Sequence, residues 1–456
     1  MKITFIGHAG LAIHVADCTI LMDPWLSGSI FNNGWDLLVP SILPETTLGQ
    51  VTHVWISHEH PDHFHLPSLR TILKAHPNTL TILFQPTADS RVVNWARREG
   101  FEVQTLTEHC WVPLTESCRV LLGKVGLYDS WLAVEHGDKR FLNLNDCVFA
   151  NASQADRVAT LVGPVDCLMA QFSYASWMGN PEETAHRATE ALARSGRFGD
   201  MVNRFRPQSV IPAASFSWFS HGENAYLNDL RVAPGRAAEL VRQHGAVPIL
   251  LAPGDTWLIN TPHDNSQALD RYEKAWDVSA RPLHRSESVP IDELVKSADQ
   301  FAARSRKCNN RLLMWILRMP PFRVVAPIEL HLIDHLVNLR FDPVSGIGRL
   351  DRSVAAPPGT VSLHSSSLLY VLRNDWGVDT LNVSGRYRAN LTGPDRLNRA
   401  FWFAVLNNAG RYVRWRELLD PRFIAMAVRR IRAALRGDSR SDGRTDSGHP
   451  AGQHPT

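Results

Sequence analysis

The hexapeptide His58-Glu59-His60-Pro61-Asp62-His63 lies directly behind the apolar run Val54-Trp55-Ile56-Ser57, and no other feature constrains the fold as tightly. Val, Trp and Ile in one short run read as a buried strand. Side chains alternate along a strand, so the imidazoles of His58 and His60, two residues apart at its end, point the same way. Asp62 and His63 can then turn toward a second cation. Three histidines and a carboxylate at one strand end are the donors that a two-centre metal site requires. The competing reading is a solvated polar loop, since Glu59, Pro61 and His65 add to its polarity and the chain holds 20 His in all. The spacing of the donors weighs against it.

With 456 residues, 44% hydrophobic and 20% charged, the chain can bury at least one large core and divide into two or three domains. Its formal charge of +3 is local, because residues 421 to 456 carry seven Arg against three Asp and leave the remaining body slightly acidic. That balance argues against a general nucleic-acid surface. Cys18, Cys110, Cys118, Cys147, Cys167 and Cys308 are scattered without a Cys-x-x-Cys pair, as expected of reduced thiols in a cytoplasmic protein. Met1 to Val15 alternates apolar and polar residues, unlike a signal or transit peptide. No run approaches the roughly 18 consecutive apolar residues of a membrane span.

The first half reads as strands and helices in turn. Lys2 to Ile6, Leu11 to Val15 and Thr19 to Met22 form a meander, and Val51 to Ile56 feeds the His loop. Helices are expected at Leu66 to Ala75 and Asp89 to Arg98, with a strand at Thr79 to Phe84 between them. Further strands follow around Arg119 to Leu122, Trp131 to Glu135, Arg140 to Leu144, Val165 to Met169, Ser209 to Pro212 and Val247 to Leu251, with helices at Pro181 to Phe205 and Ala233 to His244. Two half-sheets with outer helices make a four-layer αββα sandwich over residues 1–260. A linker is expected at 261–285, where Thr261 to Ser266 interrupts the apolar pattern. A smaller α+β domain follows at 286–420, then a basic amphipathic helix at 421–437 and a disordered tail at 438–456.

Gly7-His8-Ala9-Gly10, Asp23-Pro24-Trp25-Leu26, the His loop with Leu66-Pro67-Ser68-Leu69, and Asn143-Leu144-Asn145-Asp146-Cys147 together resemble the metallo-β-lactamase superfamily. They resemble its branch containing L-ascorbate-6-phosphate lactonase and N-acyl-phosphatidylethanolamine phospholipase D. The similarity is closer to the metallo-β-lactamase-like part of CMP-N-acetylneuraminate hydroxylase, covering most of residues 1 to 260 with patches beyond. The resemblance implies the ligand set His58, His60, Asp62, His63, Asp146 and His221, with Asp146 able to bridge two cations. It also implies that Asp23 supports the His loop from behind. One expected histidine is missing, because residues 124 to 131 read Lys-Val-Gly-Leu-Tyr-Asp-Ser-Trp. Asp129 or Tyr128 is the local substitute, and His8, beside two glycines, is a further candidate to face the site. The hydroxylase's Rieske ligand pairs, Cys-x-His and Cys-x-x-His, are absent from this chain.

The expected chemistry is that of a metal-dependent hydrolase acting on a small molecule, with phosphorylated and nucleotide-linked compounds among the candidates. In it, water acidified by a divalent cation toward a pKa of about 7 attacks a phosphoester, lactone or amide, oriented by Asp62 or Asp146. Zinc is the first expectation. Histidine and carboxylate ligands also suit iron, so the alternative is an iron-dependent oxygenase drawing electrons from a redox partner. A binding protein with a degraded site is the third reading. Every expected ligand lies before residue 260, so the site should be complete without the second unit.

Overall fold

A computed structural model of the protein describes residues 1–416 apart from 77, 127, 321, 354 and 358. The expected basic helix at 421–437 and tail at 438–456 lie outside the described residues. Two seven-stranded sheets dominate the first half. In the first, Lys2–Gly7, Gly10–His14 and Thr19–Met22 form an antiparallel meander, and His53–Trp55, Thr81–Phe84 and Glu102–Thr105 continue it in parallel. Parallel neighbours need crossovers, and the helices Leu66–Ala75 and Arg91–Glu99 supply two of them. Thr256–Leu258 closes the other edge against Lys2 to Thr4.

The second sheet runs Val247–Pro248, Ser209–Ala213, Cys167–Gln171, Lys139–Asn145, Asp129–His136, Cys118–Val125 and Trp111–Pro113 in spatial order. Its side nearest the chain's later strands is parallel, with helices Ala152–Val162 and Thr184–Phe205 between successive strands.

Period-two alternation sorts the layers. Phe5, Leu11, Ile13, Ile20 and Trp55 share one core with Val120, Leu132, Val134, Leu142 and Leu168 of the opposite sheet. Ala12, Leu21, Val54 and Ile56 turn the other way, onto Leu69, Ile72, Val92 and Ala96 of the outer helices. Each buried Leu, Ile, Val or Phe side chain contributes about 1.5–3 kcal/mol relative to exposure, so a one-residue slip in any central strand would be prohibitive. The α/β sandwich is thus formed as expected.

The stretch 261–285 is not a simple linker. It carries the helix Ser266–Trp276, whose fully buried Tyr272 stacks on Phe216 at 4.2 Å and donates to the Leu251 carbonyl at 2.8 Å. Val278 still belongs to the sandwich core. The polar run Thr261 to Ser266 misleads because its polar groups bind strand ends: Asn265 meets Leu250 N and the Pro248 carbonyl, and His263 meets the Leu250 carbonyl.

Beyond it, a five-stranded sheet is ordered Gly346–Arg352, Val337–Asp342, Ile328–Leu332, Val361–Leu363, Tyr387–Arg388. Helices Ile291–Cys308, Ser365–Arg373 and Gly377–Ser384 accompany it around a separate core of Leu294, Phe301, Leu330, Phe341, Leu363 and Phe401. Trp177 of the sandwich enters that second core and stacks on Tyr387 at 5.1 Å.

Candidate metal centre

Strands of both sheets deliver their C-terminal ends to one place, the position where open α/β sheets collect functional side chains. Thr19–Met22 ends at Asp23, His53–Trp55 leads to Ser57 and the His loop, and Lys139–Asn145 ends at Asp146. The turn Gly7 to Gly10 brings His8. His8, Asp23 and Asn145 hold φ of 49°, 39° and 50°, left-handed conformations that cost non-glycine residues about 1–3 kcal/mol each and collect where function needs them.

Two overlapping groups of donors converge among the described residues, His8 with Asp62 and His63, and His58 with His63 and Asp146. His63 belongs to both. Its Nε2 lies 3.0 Å from Asp62 Oδ2 and 3.4 Å from Asp146 Oδ2, and His8 Nε2 donates to Asp62 Oδ2 at 3.2 Å. His8 Nδ1, Asp62 Oδ1, His63 Nε2 and Asp146 Oδ1 are buried without a hydrogen-bond partner. Unsatisfied buried polar atoms are costly, and four of them turned into one cluster fit a cation.

Proton counting gives the ring orientations. Ser57 Oγ donates to Asp23 Oδ2 at 2.7 Å, so at its 3.0 Å contact with His58 Nδ1 the histidine is the donor, leaving His58 Nε2 with a lone pair. His60 Nε2 donates to the Asp379 carboxylate at 2.5 Å, leaving His60 Nδ1 with a lone pair as well. Those two nitrogens face each other at 2.8 Å. Two lone pairs so placed repel unless a cation or a proton lies between them. Burial opposes charge on His60, but Asp379, Asp62 and Asp129 outweigh it and raise its pKa to about 9, whereas burial and the neighbouring histidines hold His58 well below its ordinary value. A proton therefore occupies the gap when no metal does. Cation binding should expel that proton and strengthen as pH rises toward 9, which calorimetry in buffers of different ionisation enthalpy will read as proton release.

Behind the cluster, Asp23 accepts from Ser57 N at 2.8 Å, Ser57 Oγ, the Asn145 amide and His63 Nδ1 at 3.0 Å. With Nδ1 committed there, His63 presents Nε2 inward, a carboxylate–histidine arrangement found behind metal ligands. Asp129, one of the two local substitutes, stands at the cluster with Oδ1 4.0 Å from His58 Nε2. Burial, with Asp146 and Asp379 adding to it, lifts its pKa to about 7. The other, Tyr128, sets its ring against His60 at 6.2 Å and Trp376 at 5.1 Å.

The structure does not bring His221 to either donor group. Its Nδ1 accepts from Glu223 N at 3.1 Å and its Nε2 meets Ser286 Oγ at 3.2 Å, within a network completed by Arg386. Ala214, at φ 50°, turns the chain as it leaves Ser209–Ala213 and donates to the His8 carbonyl at 2.9 Å, so the chain passes the cluster seven residues before His221. His8, by contrast, stands in one of the two donor groups. His221→Ala is expected to keep wild-type metal content while losing about 1–3 kcal/mol of stability from the unpaired Ser286 and Glu223 groups. Metal analysis of the folded variant checks this, and lost metal would restore His221 as a ligand.

Sequence reasoning missed Asp379, which stands 319 residues from its partner His60. Its only local mark is an acidic residue in the first turn of Gly377–Ser384.

A family profile, the beta-lactamase superfamily domain, matches residues 2–179, the stretch that contains the His loop, Asp129 and Asp146. Residues 2–179 form a beta-lactamase superfamily domain. Among curated proteins, this chain is 28% identical over 289 residues to a Mycobacterium tuberculosis protein provisionally named a Rieske 2Fe-2S iron-sulfur protein, covering 56% of this chain and 53% of that one. It is 24% identical over 262 residues to the cytidine monophosphate-N-acetylneuraminic acid hydroxylase of Mus musculus, covering 54% and 45%. The chain thus spans about half the length of the curated relatives it matches. A solved diiron β-hydroxylase from Streptomyces venezuelae aligns at TM-score 0.41 and 16% identity, over 56% of this chain and 53% of that one. A likeness of that size says nothing about chemistry. No helix among the described residues is long and apolar enough to cross a membrane.

Proposed function

We propose that this beta-lactamase-superfamily chain is a metal-dependent hydrolase of a small anionic substrate, with His58, His60, His63, His8, Asp62, Asp129 and Asp146 holding the cation or cations. The convergence of His8, Asp62 and His63 with His58 and Asp146, four of whose buried nitrogen and oxygen atoms lack a hydrogen-bond partner, carries the reading. A bound divalent cation supplies Lewis acidity and lowers the pKa of water toward about 7, and zinc suits the imidazole donors. Asp62 keeps one carboxylate oxygen unpartnered and can take the proton of the attacking water.

A cavity of about 260 Å³ opens beside Asp146, between the loop after Lys139–Asn145 and the helix Thr184–Phe205. Asn151, Ser173, Arg194, Arg197 and Arg204 line it. Guanidinium groups are matched to phosphate and carboxylate, so a phosphorylated or nucleotide-linked molecule fits this wall. The near-neutral net charge of the body before residue 421 argues against a general nucleic-acid surface, and the free cysteines suit a cytoplasmic protein.

A second reading, iron-dependent hydroxylation with an external electron donor, is favoured by Asp129, which makes the donor set richer in carboxylate. The names of the curated relatives point the same way. Metal analysis of the purified full chain, followed by assays on phosphoester, lactone and amide panels and by oxygen uptake with an added reductant, separates the two. Zinc with hydrolysis supports the first reading, and iron with reductant-dependent oxygen uptake the second. A protein that takes up no metal overturns both.

A further inference from the structure

We infer that Asp379, from the C-terminal unit, is the positioning residue that orients His60, so that the second unit completes the metal centre of the first. The inference rests on the metal-centre reading above and deepens it. Each of the three loop histidines shows one nitrogen to the cluster and commits the other to a partner outside it. For His63 that partner is Asp23, at 3.0 Å, and for His58 it is Ser57 Oγ, at 3.0 Å. Both belong to the sandwich. For His60 it is Asp379 Oδ2 at 2.5 Å, and among the described residues no group of the sandwich hydrogen-bonds that nitrogen. Asp379 thus does for His60 what Asp23 does for His63: it holds a proton on the outer nitrogen and frees the inner lone pair.

The segment that carries Asp379 is held at several points. Trp376, at the N-terminus of the helix Gly377–Ser384, packs its ring against Tyr128 at 5.1 Å and His60 at 6.5 Å, and the Arg91 guanidinium lies 5.6 Å from its centroid. Arg91 also reaches Asp375 at 3.6 Å and the Asn408 carbonyl. Gly377 packs so closely on Val371 that an added Cβ would stand 2.5 Å from its Cα, which fixes where the helix starts. An acid in that first turn is favoured by the helix dipole. A carboxylate orienting a ligand histidine is worth about 10–100-fold in metal affinity.

The test uses the full chain as wild type, Asp379→Ala, Asp379→Asn and Asp375→Ala, loaded with Co2+ or Zn2+. Metal per chain, affinity by chelator competition, the Co2+ absorption spectrum and the urea unfolding midpoint are read for each. The expected result is a 10–100-fold loss of affinity for one cation and an altered Co2+ spectrum in Asp379→Ala. Asp379→Asn, which keeps shape and an acceptor oxygen, should recover part of the affinity. Asp375→Ala, which touches only the docking contact to Arg91, should bind as wild type. Wild-type affinity and spectrum in folded Asp379→Ala and Asp379→Asn would overturn the inference while leaving the metal centre standing. An equal loss in Asp375→Ala would overturn it in favour of simple docking. A wild-type chain that binds no cation would remove the centre itself.

Discussion

His63→Ala is expected to empty the metal centre more completely than any other single substitution. The reason is geometric: Nε2 of His63 is the one donor shared by both groups, 3.0 Å from Asp62 Oδ2 and 3.4 Å from Asp146 Oδ2. Burial alone would discharge this ring, yet Asp62, Asp146 and Asp23 together hold its pKa well above the ordinary value. Removing it deprives Asp62 and Asp146 of a shared partner on one side and Asp23 of its histidine on the other. Loss of an outer partner of a ligand costs about 10–100-fold in affinity, and loss of a shared ligand should exceed that range. Metal per chain and chelator competition on the full-length variant decide it. His58→Ala, which removes a donor from one group only, should lose less. The same ranking in reverse would show that the His58–His60 pair, not the shared histidine, anchors the cation.

The second large effect is on stability. Asp23 is fully buried and accepts four hydrogen bonds, from Ser57 N, Ser57 Oγ, His63 Nδ1 and the Asn145 amide. Asp23→Ala removes the acceptor of all four, leaving only the Asn145 amide a second one in Ser57 Oγ, and keeps the left-handed backbone, φ 39°, that alanine tolerates poorly. Breaking a buried charged pair by deleting one member costs about 3–5 kcal/mol, and a loss of that size is expected in urea unfolding. Asp23→Asn should be milder, because asparagine tolerates that backbone and still accepts, while it cannot hold the His63 charge. Equal stability in wild type and Asp23→Ala would mean that water replaces the carboxylate and that the pocket is open.

Much of this arrangement was legible in the chain because it is local. The run Val54-Trp55-Ile56-Ser57 predicts a strand, and the strand His53–Trp55 does deliver the His loop, but it ends before His58, so the loop rather than strand alternation sets the two rings. Asn145-Asp146 behind an apolar strand, and Asp23 behind another, are likewise delivered by strand ends. Alternation likewise determined which face of each strand is core, since Trp55 goes to one side and Val54 and Ile56 to the other. Where a signal was only composition, it misled. The polar run 261 to 266 looked like a domain boundary and is a loop bonded to the ends of buried strands, followed by a helix whose Tyr272 completes the core. The hairpin Val337–Asp342 and Gly346–Arg352 passed unnoticed although Val337, Leu339 and Phe341 alternate with Asn338, Arg340 and Asp342, which is a legible strand pattern.

What the chain by itself determined, then, is the sandwich and the donors that lie at its strand ends, because hydrophobic period and strand-end position are properties of short stretches. Which donors share a cluster was decided by tertiary structure. Order along the chain makes His221 the expected last ligand and His8 only a further candidate, yet in the fold His8 stands against Asp62 while His221 meets Ser286 and Glu223. Asp379 could not have been found at all from local pattern. Its meeting with His60 depends on how two separate cores dock, and that is set by Trp376, Arg91 and Tyr387 packing across the junction, contacts between residues hundreds of positions apart that leave no period and no motif behind.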